Sequence, residues 1–473
     1  MVASEAAPYA KTGGLADVLG ALPQALVRLG EEVGVVLPRY RGVFTPDAEL
    51  VAGDVRIVVG PHTYQVWIDQ VIRQGVRYFF VNCPVLYDRP GIYGDSYGSY
   101  PDNPVRFAVL NHAAIAVARY VFHTDIFHVH DWQCGLLPVY LRENFSGDPT
   151  FFGARCVLTV HNLGYQGNFG SYVLGDVGLD RSTFHPDGLE FWGDVSFLKA
   201  GIVWSDAITT VSPTYAQEIQ TPEYGFSFDG LLRSRASKLT GIVNGIDFDY
   251  WNPETDPYIP AHYSLDDLSG KQACKKALLE EMGLPVDLDR PLIGIVSRFA
   301  YQKGFDLMGE VAESLRHQDV AVAVLGSGES RYEDMFRYFA WVSPDHFALR
   351  LGYDEGLAHR IEAGSDMFLM PSLYEPCGLN QMYSLRYGTV PVVRATGGLE
   401  DTVDDETGFK FRDFNAEGLS WAIQTALVAY ADRTDWKERM AKGMAKDFSW
   451  AASAQAYQRL YRQLASFRAS TAS

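Results

Sequence analysis

Residues 292–304 read LIGIVSRFAYQKG, a short apolar run that ends at Ser297 and opens into a turn carrying Arg298, Lys303 and Gly304. A helical pattern follows, and this succession of buried strand, polar turn and helix is the rhythm of a parallel sheet with crossover helices. Working outward, the same rhythm recurs at Val320 to Leu325, Met367 to Ser372 and Val390 to Arg394, and in the first half at Val33 to Leu37, Ile126 to His130, Cys156 to His161 and Ala207 to Ser212. The fold class is therefore α/β. At 473 residues the chain is too long for one hydrophobic core, since cores stop growing near ~250–300 residues. Between the two sets of strands, Asn244 to Ser269 reads NGIDFDYWNPETDPYIPAHYSLDDLS, rich in proline and acid without a helical period, as a linker would be. The boundary is placed near residue 247. It gives a first domain at 1–247 and a second at 248–450, two Rossmann-like doubly wound units expected to face each other across a cleft. A last helix, 451–467, has Ala454, Tyr457, Leu460, Tyr461 and Leu464 on one face and is expected to pack back on the first domain.

Composition narrows the partners. A net charge of -18 repels nucleic acid and anionic membrane over most of the surface, so an anionic ligand must be held by a local cluster of cations and backbone N–H groups. Five cysteines without CxxC spacing argue against a disulfide framework and a zinc site, and fit a reducing cytoplasm. The sequence contains no apolar run of membrane-spanning length. Only three residues precede Ser4 and the glycine turn beyond it, which leads to the expectation that the first half of strand one is missing from the sequence.

Ligands of open parallel sheets bind beyond the carboxyl ends of the strands, and the chemistry-bearing residues fall there. Lys11, Gly13 and Gly14 open a helix; glycines there let backbone N–H groups approach an anion, to which lysine adds a full charge. The plain alternative is a tight turn with a solvated lysine, and the motif is neither GxGxxG nor a P-loop. Arg298 and Lys303 can converge on a phosphate pair, although an exposed basic turn bridged to acids would read the same. In the run 371–381, PSLYEPCGLNQ, Gly378 permits close backbone approach. Glu375 could meet a sugar hydroxyl or a developing positive charge, or simply start a helix. Cys377 reads as a small packed residue rather than a nucleophile. Thr396-Gly397-Gly398 repeats the device. His130-Asp131-Trp132 and His161-Asn162, followed by Tyr165-Gln166-Gly167, suit a neutral, hydroxyl-rich ligand. His128 and His130 share a strand face, but a metal would need a third ligand, and no metal is expected.

Taken together, KTGGLADV (11–18), HDWQ (130–133) with GLLPVYL (135–141), TVHNLGYQG (159–167), FLKAGIVWSDAITTVSPTYAQEI (197–219), GIVNGIDFDYWNP (241–253), SRFAYQKG (297–304) and EPCGLNQMYSLRYGTVPVVRATGGLEDTV (375–403) resemble the bacterial glycogen synthase and starch synthase family, glycosyltransferase family 5. The resemblance spans residues 3 to 465. It implies the two-domain GT-B fold and retaining, metal-independent transfer of glucose from ADP-glucose to the 4-hydroxyl at the non-reducing end of an α-1,4-glucan. That acceptor would be glycogen, amylose, amylopectin or a malto-oligosaccharide, with ADP as product and no cofactor.

The resemblance also implies roles. Lys11, Gly13 and Gly14 would meet the donor diphosphate region, with Arg298, Lys303, Gly378 and Leu379 from the second domain and Cys377 and Asn380 on the same turn. Tyr353 would stack on adenine. Asp131, His161 and Asn162 would line the glucose site with Asn244 near it, Glu375 would hold glucose hydroxyls, and Glu5 and Tyr93 would belong to the sugar and acceptor side. Two positions depart from the wider pattern. Tyr383 stands where related enzymes carry a second glutamate, and Asn380 where some carry a hydroxyl residue. Competing readings are a sugar-nucleotide epimerase or hydrolase, a phosphorylase needing a pyridoxal phosphate lysine, and an inactive glucan-binding scaffold.

Overall fold

The computed structural model describes residues 1–471. The chain forms two compact units. One comprises Met1–Val211, Ala216–Gly245 and the C-terminal segment from Trp450; the other comprises Ser212–Tyr215 and Ile246–Ser449. The chain crosses between them at Gly245–Ile246, two residues before the expected boundary at 247. No helix among the described residues is long and apolar enough to cross a membrane.

The main strands of the first unit are β1 (Gly34–Pro38), β2 (Glu49–Val59), β3 (His62–Arg73), β4 (Val76–Asn82), β5 (Ile126–His130), β6 (Arg155–Val160), β7 (Ala207–Thr210) and β8 (Leu239–Gly241). They form two runs, ordered β1-β4-β3-β2 and β8-β7-β6-β5. Val2 joins the runs by pairing in parallel with Val36 on one side and Val129 on the other. The residues before Ser4 thus occupy a central strand position. Crossovers leave it in one direction toward β1 and return on its other side at β5, so the reversal of strand order falls beside Ser4, Glu5 and Asp131.

The doubly wound expectation omits the antiparallel strands β2, β3 and β4. They escape a sequence reading because β2 is largely exposed and its register is interrupted by two irregularities, which blurs the alternation of apolar residues. The β3–β4 turn is made by Gln74 and Gly75 at φ 49° and 80°, the paired left-handed conformations of a type I′ hairpin. The helix Gly14–Arg28 buries Val18, Leu19, Leu22 and Leu26. The Trp450–Thr471 helix belongs to this unit; its Trp450, Ala454 and Tyr457 enter the same core as those residues, and Gln458 donates to Leu29 O at 3.1 Å.

The second unit holds one all-parallel sheet of β9 (Leu292–Phe299), β10 (Ala321–Gly328), β11 (Phe347–Leu351), β12 (Met367–Met370), β13 (Val390–Arg394) and β14 (Phe409–Phe411). Its order is β11-β10-β9-β12-β13-β14, the doubly wound arrangement whose switch point lies between β9 and β12. Ile293, Ile295, Val322, Val324, Leu369 and Val392 face one helical layer, and Leu292, Ala323, Leu325 and Phe368 the other. Burial on both faces explains why these strands read as continuous apolar runs.

Candidate active site

In the second unit, the turn after β9 and the turn after β12 meet. Gly304, at φ +73°, lets the chain pass where a Cβ would lie 1.9 Å from Pro371 O, and Leu373 N donates to Gln302 O at 2.8 Å. This contact brings Lys303 to Glu375 across 72 residues of sequence, with Nζ 2.6 Å from Oε2. Ser372 Oγ donates to the same oxygen at 3.0 Å. Glu375 is buried and Lys303 partly so. The Glu375–Cys377 backbone is wedged against Thr396–Gly398: Gly398 N donates to Glu375 O at 3.1 Å, and a Cβ on Gly397 would stand 1.9 Å from that oxygen.

Gly378 takes φ +69° and starts the backbone toward the helix Asn380–Arg386. Gln381, which sequence reading passed over, clamps this turn from inside: fully buried, its Nε2 donates to Cys377 O, Gly378 O and Thr402 Oγ1, each at 3.1 Å. A buried amide on a polar-looking helix start gives no signal in one sequence. Asn380 Nδ2 donates to Val296 O at 2.9 Å, so that side chain ties the turn to β9. Cys377 is buried at this turn, beside Gly398. Arg298 projects from the end of β9 into solvent. Tyr353 is 79% exposed on the loop beyond β11, next to Asp354, which caps the following helix through Leu357 N at 2.8 Å.

In the first unit the loops beyond Val2, β5 and β6 carry the other candidates. Glu5 is buried; its carboxylate accepts from Thr12 Oγ1 at 2.6 Å, from Thr12 N and from the Tyr93 hydroxyl. Glu5 and Tyr93 thereby hold the glycine turn. Gly13 is extended at φ -161°, a conformation open to any residue, and a Cβ there would meet nothing within 4 Å. Gly14 begins the helix, and Lys11 Nζ lies 2.7 Å from Asp17 Oδ1 on its first turn.

Asp131 sits at φ +56°, a strained position for a non-glycine residue, and accepts from His161 N at 2.7 Å. Burial pushes its carboxyl up to about 7, opposed by the amides of His161 and Asn162. His161 Nε2 is 3.0 Å from His130 Nδ1, and burial brings His161 down to about 3. Burial also holds His128 and His130 well below the ordinary histidine range. His128 is occupied on both ring nitrogens, by Tyr461 OH at 2.7 Å and Thr159 Oγ1 at 2.6 Å. Among the described residues no three His, Cys, Asp or Glu side chains are grouped to hold a metal ion. Asn244 is buried on the segment after β8.

This arrangement supplies cations, one buried carboxylate and close-approach backbone at the switch point of one sheet, and neutral imidazoles with a proton-poised carboxyl at the switch point of the other. The first group can bind an anionic leaving group, and the second can orient hydroxyls.

Residues 1–234 match the family model for the starch synthase catalytic domain, and residues 282–443 the model for glycosyl transferases group 1. The chain is 50% identical over 472 residues to a glycogen synthase of Anaeromyxobacter dehalogenans, covering 98% of this chain and 99% of that one. It is 49% identical to a glycogen synthase of Myxococcus xanthus, covering 98% of each. Among solved structures it resembles the catalytic domain of starch synthase IV from Arabidopsis thaliana bound to ADP and acarbose, with a TM-score of 0.90, 34% identity and 98% coverage of both chains. On these grounds the chain belongs to the glycogen synthase and starch synthase family of glycosyltransferases, with the two-domain GT-B fold.

Proposed function

We propose that the enzyme transfers glucose from ADP-glucose to the 4-hydroxyl at the non-reducing end of an α-1,4-glucan, with retention of configuration and without a metal ion. The observation that carries this reading is the Lys303–Glu375 pair at the switch point of a doubly wound sheet, beside the exposed Arg298. The relative solved with ADP and acarbose supports it. Arg298 and Lys303 take the diphosphate, with the Gly378 and Leu379 amides and the Cys377 and Asn380 backbone; Lys11 and the Gly13–Gly14 turn add to them. Exposed Tyr353 stacks on the base. Glu375, Asp131, His161, Asn162 and Asn244 meet glucose hydroxyls, and Glu5 and Tyr93 hold the sugar-side turn. Glycogen, amylose, amylopectin and malto-oligosaccharides are the acceptors, in the cytoplasm.

Retention requires either a covalent glucosyl intermediate or attack on the face from which the leaving group departs. Of the two carboxyl groups placed at the sugar, Glu375 is already committed to Lys303 and Ser372, and Asp131 to the His161 amide. We assign the same-face course. The acceptor oxygen bonds to the anomeric carbon, the bond to the β-phosphate oxygen breaks with its electron pair leaving on ADP, and that oxygen takes the acceptor's proton. Arg298 and Lys303 stabilise the charge that develops. His161 acts as a neutral hydrogen-bonding group, because burial keeps it unprotonated at neutral pH.

Incubation with labelled ADP-glucose and UDP-glucose, each with and without glycogen and with EDTA, tests the proposal. It expects α-linked chain extension that needs acceptor, favours ADP-glucose and survives EDTA. Release of free glucose or an epimerised nucleotide sugar without acceptor would replace it with the hydrolase or epimerase reading, and loss of activity in EDTA would overturn the metal-free assignment.

A further inference from the structure

Downstream of the His161–Gly167 turn, a small antiparallel sheet is made by residues 168–170, 190–191 and 194–196, with Asp194 paired to both Phe191 and Gly170. The hairpin is closed by Trp192 and Gly193 at φ +56° and +88°, the two left-handed positions of a type I′ turn. Asn or Gly meets the first of these positions at little cost, whereas a bulky aromatic residue is strained there. The Trp192 side chain recovers little from burial, since the residue is 84% exposed and its ring meets only the edge of Phe191, with centroids 6.5 Å apart. Neither the turn nor the core accounts for an indole at this tip. The pairing register carries Tyr172 to the same end of the sheet, where its ring lies over Gly170: a Cβ on Gly170 would meet that ring at 2.5 Å. Tyr172 is 80% exposed. Two solvent-facing aromatic residues thus share one end of a small sheet whose first strand begins directly after Tyr165-Gln166-Gly167.

We infer that Trp192 and Tyr172 form an auxiliary platform for the α-glucan acceptor, holding a chain segment away from its reacting end. Apolar faces of glucose rings stack on aromatic faces, and a strained turn that displays one is explained by a ligand it serves. The inference rests on the glucan reading above. It adds that polymer and short acceptors are distinguished on this surface, outside the residues assigned to the transfer.

Trp192→Asn suits the left-handed turn while removing the ring, so it tests the ring without adding turn strain; Trp192→Tyr keeps an aromatic face; Tyr172→Ala completes a double variant with Trp192→Asn. The platform predicts that the double variant raises KM for glycogen about tenfold at unchanged kcat, with Trp192→Tyr close to wild type. It also predicts unchanged kinetics on maltotriose and unchanged ADP-glucose KM. A glycogen KM within twofold of wild type in the double variant would overturn the platform. So would an equal loss on maltotriose, which would place the rings at the reacting end. Wild-type enzyme inactive on both glycogen and maltotriose would instead sink the glucan reading itself, so the two failures are separable.

Discussion

Lys303 Nζ lies 2.6 Å from Glu375 Oε2, joining the turns that follow the two central strands of the second unit's sheet. The pair is buried at its acidic end, where Ser372 adds a second donor. Removing the ammonium leaves a buried carboxylate without its counter-charge, and removing the carboxylate frees the ammonium to move.

Lys303→Ala and Arg298→Ala should each lower kcat by ~100- to 1000-fold, because each removes a cation that stabilises departing ADP. Glu375→Gln keeps the shape and tests the charge. The variants should separate in stability: Lys303→Ala is destabilised because Glu375 stays buried and unpaired, whereas the exposed Arg298→Ala melts like wild type. Steady-state kinetics at saturating donor, with thermal unfolding of the same samples, checks both. Near wild-type turnover in either cation variant would remove that residue from the proposed mechanism.

Two glycines make opposite predictions. Gly397, at φ +46°, has no room for a Cβ, which would fall 1.9 Å from Glu375 O. Gly397→Ala should therefore cost ~2 kcal/mol or more of stability and lower kcat by displacing Glu375. Gly13 has open space and an extended backbone, so Gly13→Ala should leave stability within ~0.5 kcal/mol of wild type. Its effect should appear as a raised donor KM, since only an approaching ligand would meet the new methyl. An unchanged donor KM for Gly13→Ala would remove that turn from the diphosphate site.

Buried imidazoles make the first unit acid-sensitive. Burial holds His128, His130 and His161 below their ordinary range, His161 at about 3, while in the unfolded chain they protonate near ~6.5. Depressed folded values mean that their stabilisation is present above ~6.5 and lost as pH falls, by ~1.4 kcal/mol per pH unit for each proton. Asp131 works the other way: its carboxyl, raised to about 7 by burial, contributes most below ~3.9 and loses that contribution as pH rises through 7. The three histidines outweigh it, so the urea midpoint should fall between pH 6.5 and 4.5. His161→Gln should make that fall shallower; an unchanged slope would show that His161 is not held neutral.

The second unit's sheet was legible because its strands are covered on both faces, and their apolar runs mark themselves. The β2–β4 meander was not, since β2 is largely exposed to water and two irregularities break its alternation. Glu375 and Lys303 were each visible as residues after strands. Their meeting depends on β9 lying next to β12, a matter of strand order that no local pattern encodes. Glu5 and Tyr93 were visible too, but the bond from the Tyr93 hydroxyl to the Glu5 carboxylate depends on the chain returning 88 residues later. Gln381 shows the limit most plainly: a buried amide that three acceptors require looks, in sequence, like any polar helix residue.

Tyr383, in the place of a second glutamate, has a structural explanation that can be tested. Its ring stacks on Trp251 with centroids 3.8 Å apart and planes at 11°, and the other face of Trp251 stacks on His359 at 3.8 Å and 7°. Trp251 comes from the 244–269 segment read as a linker, so the stack fastens that segment to the helices Glu355–Gly364 and Asn380–Arg386. Asp256 adds to the attachment, accepting from His359 Nδ1 at 2.7 Å and from Tyr387 OH at 2.5 Å. A glutamate at 383 would lose the aromatic contact and place a carboxylate at a buried position. Tyr383→Glu should therefore destabilise the protein by ~2–4 kcal/mol, whereas Tyr383→Phe, which keeps the ring, should stay within ~1 kcal/mol of wild type. Urea unfolding followed by tryptophan fluorescence and near-ultraviolet circular dichroism reads both the midpoint and the packing of Trp251. A Tyr383→Glu variant as stable as wild type would mean that the stack does not hold this segment, and that the departure from the glutamate pattern needs another cause.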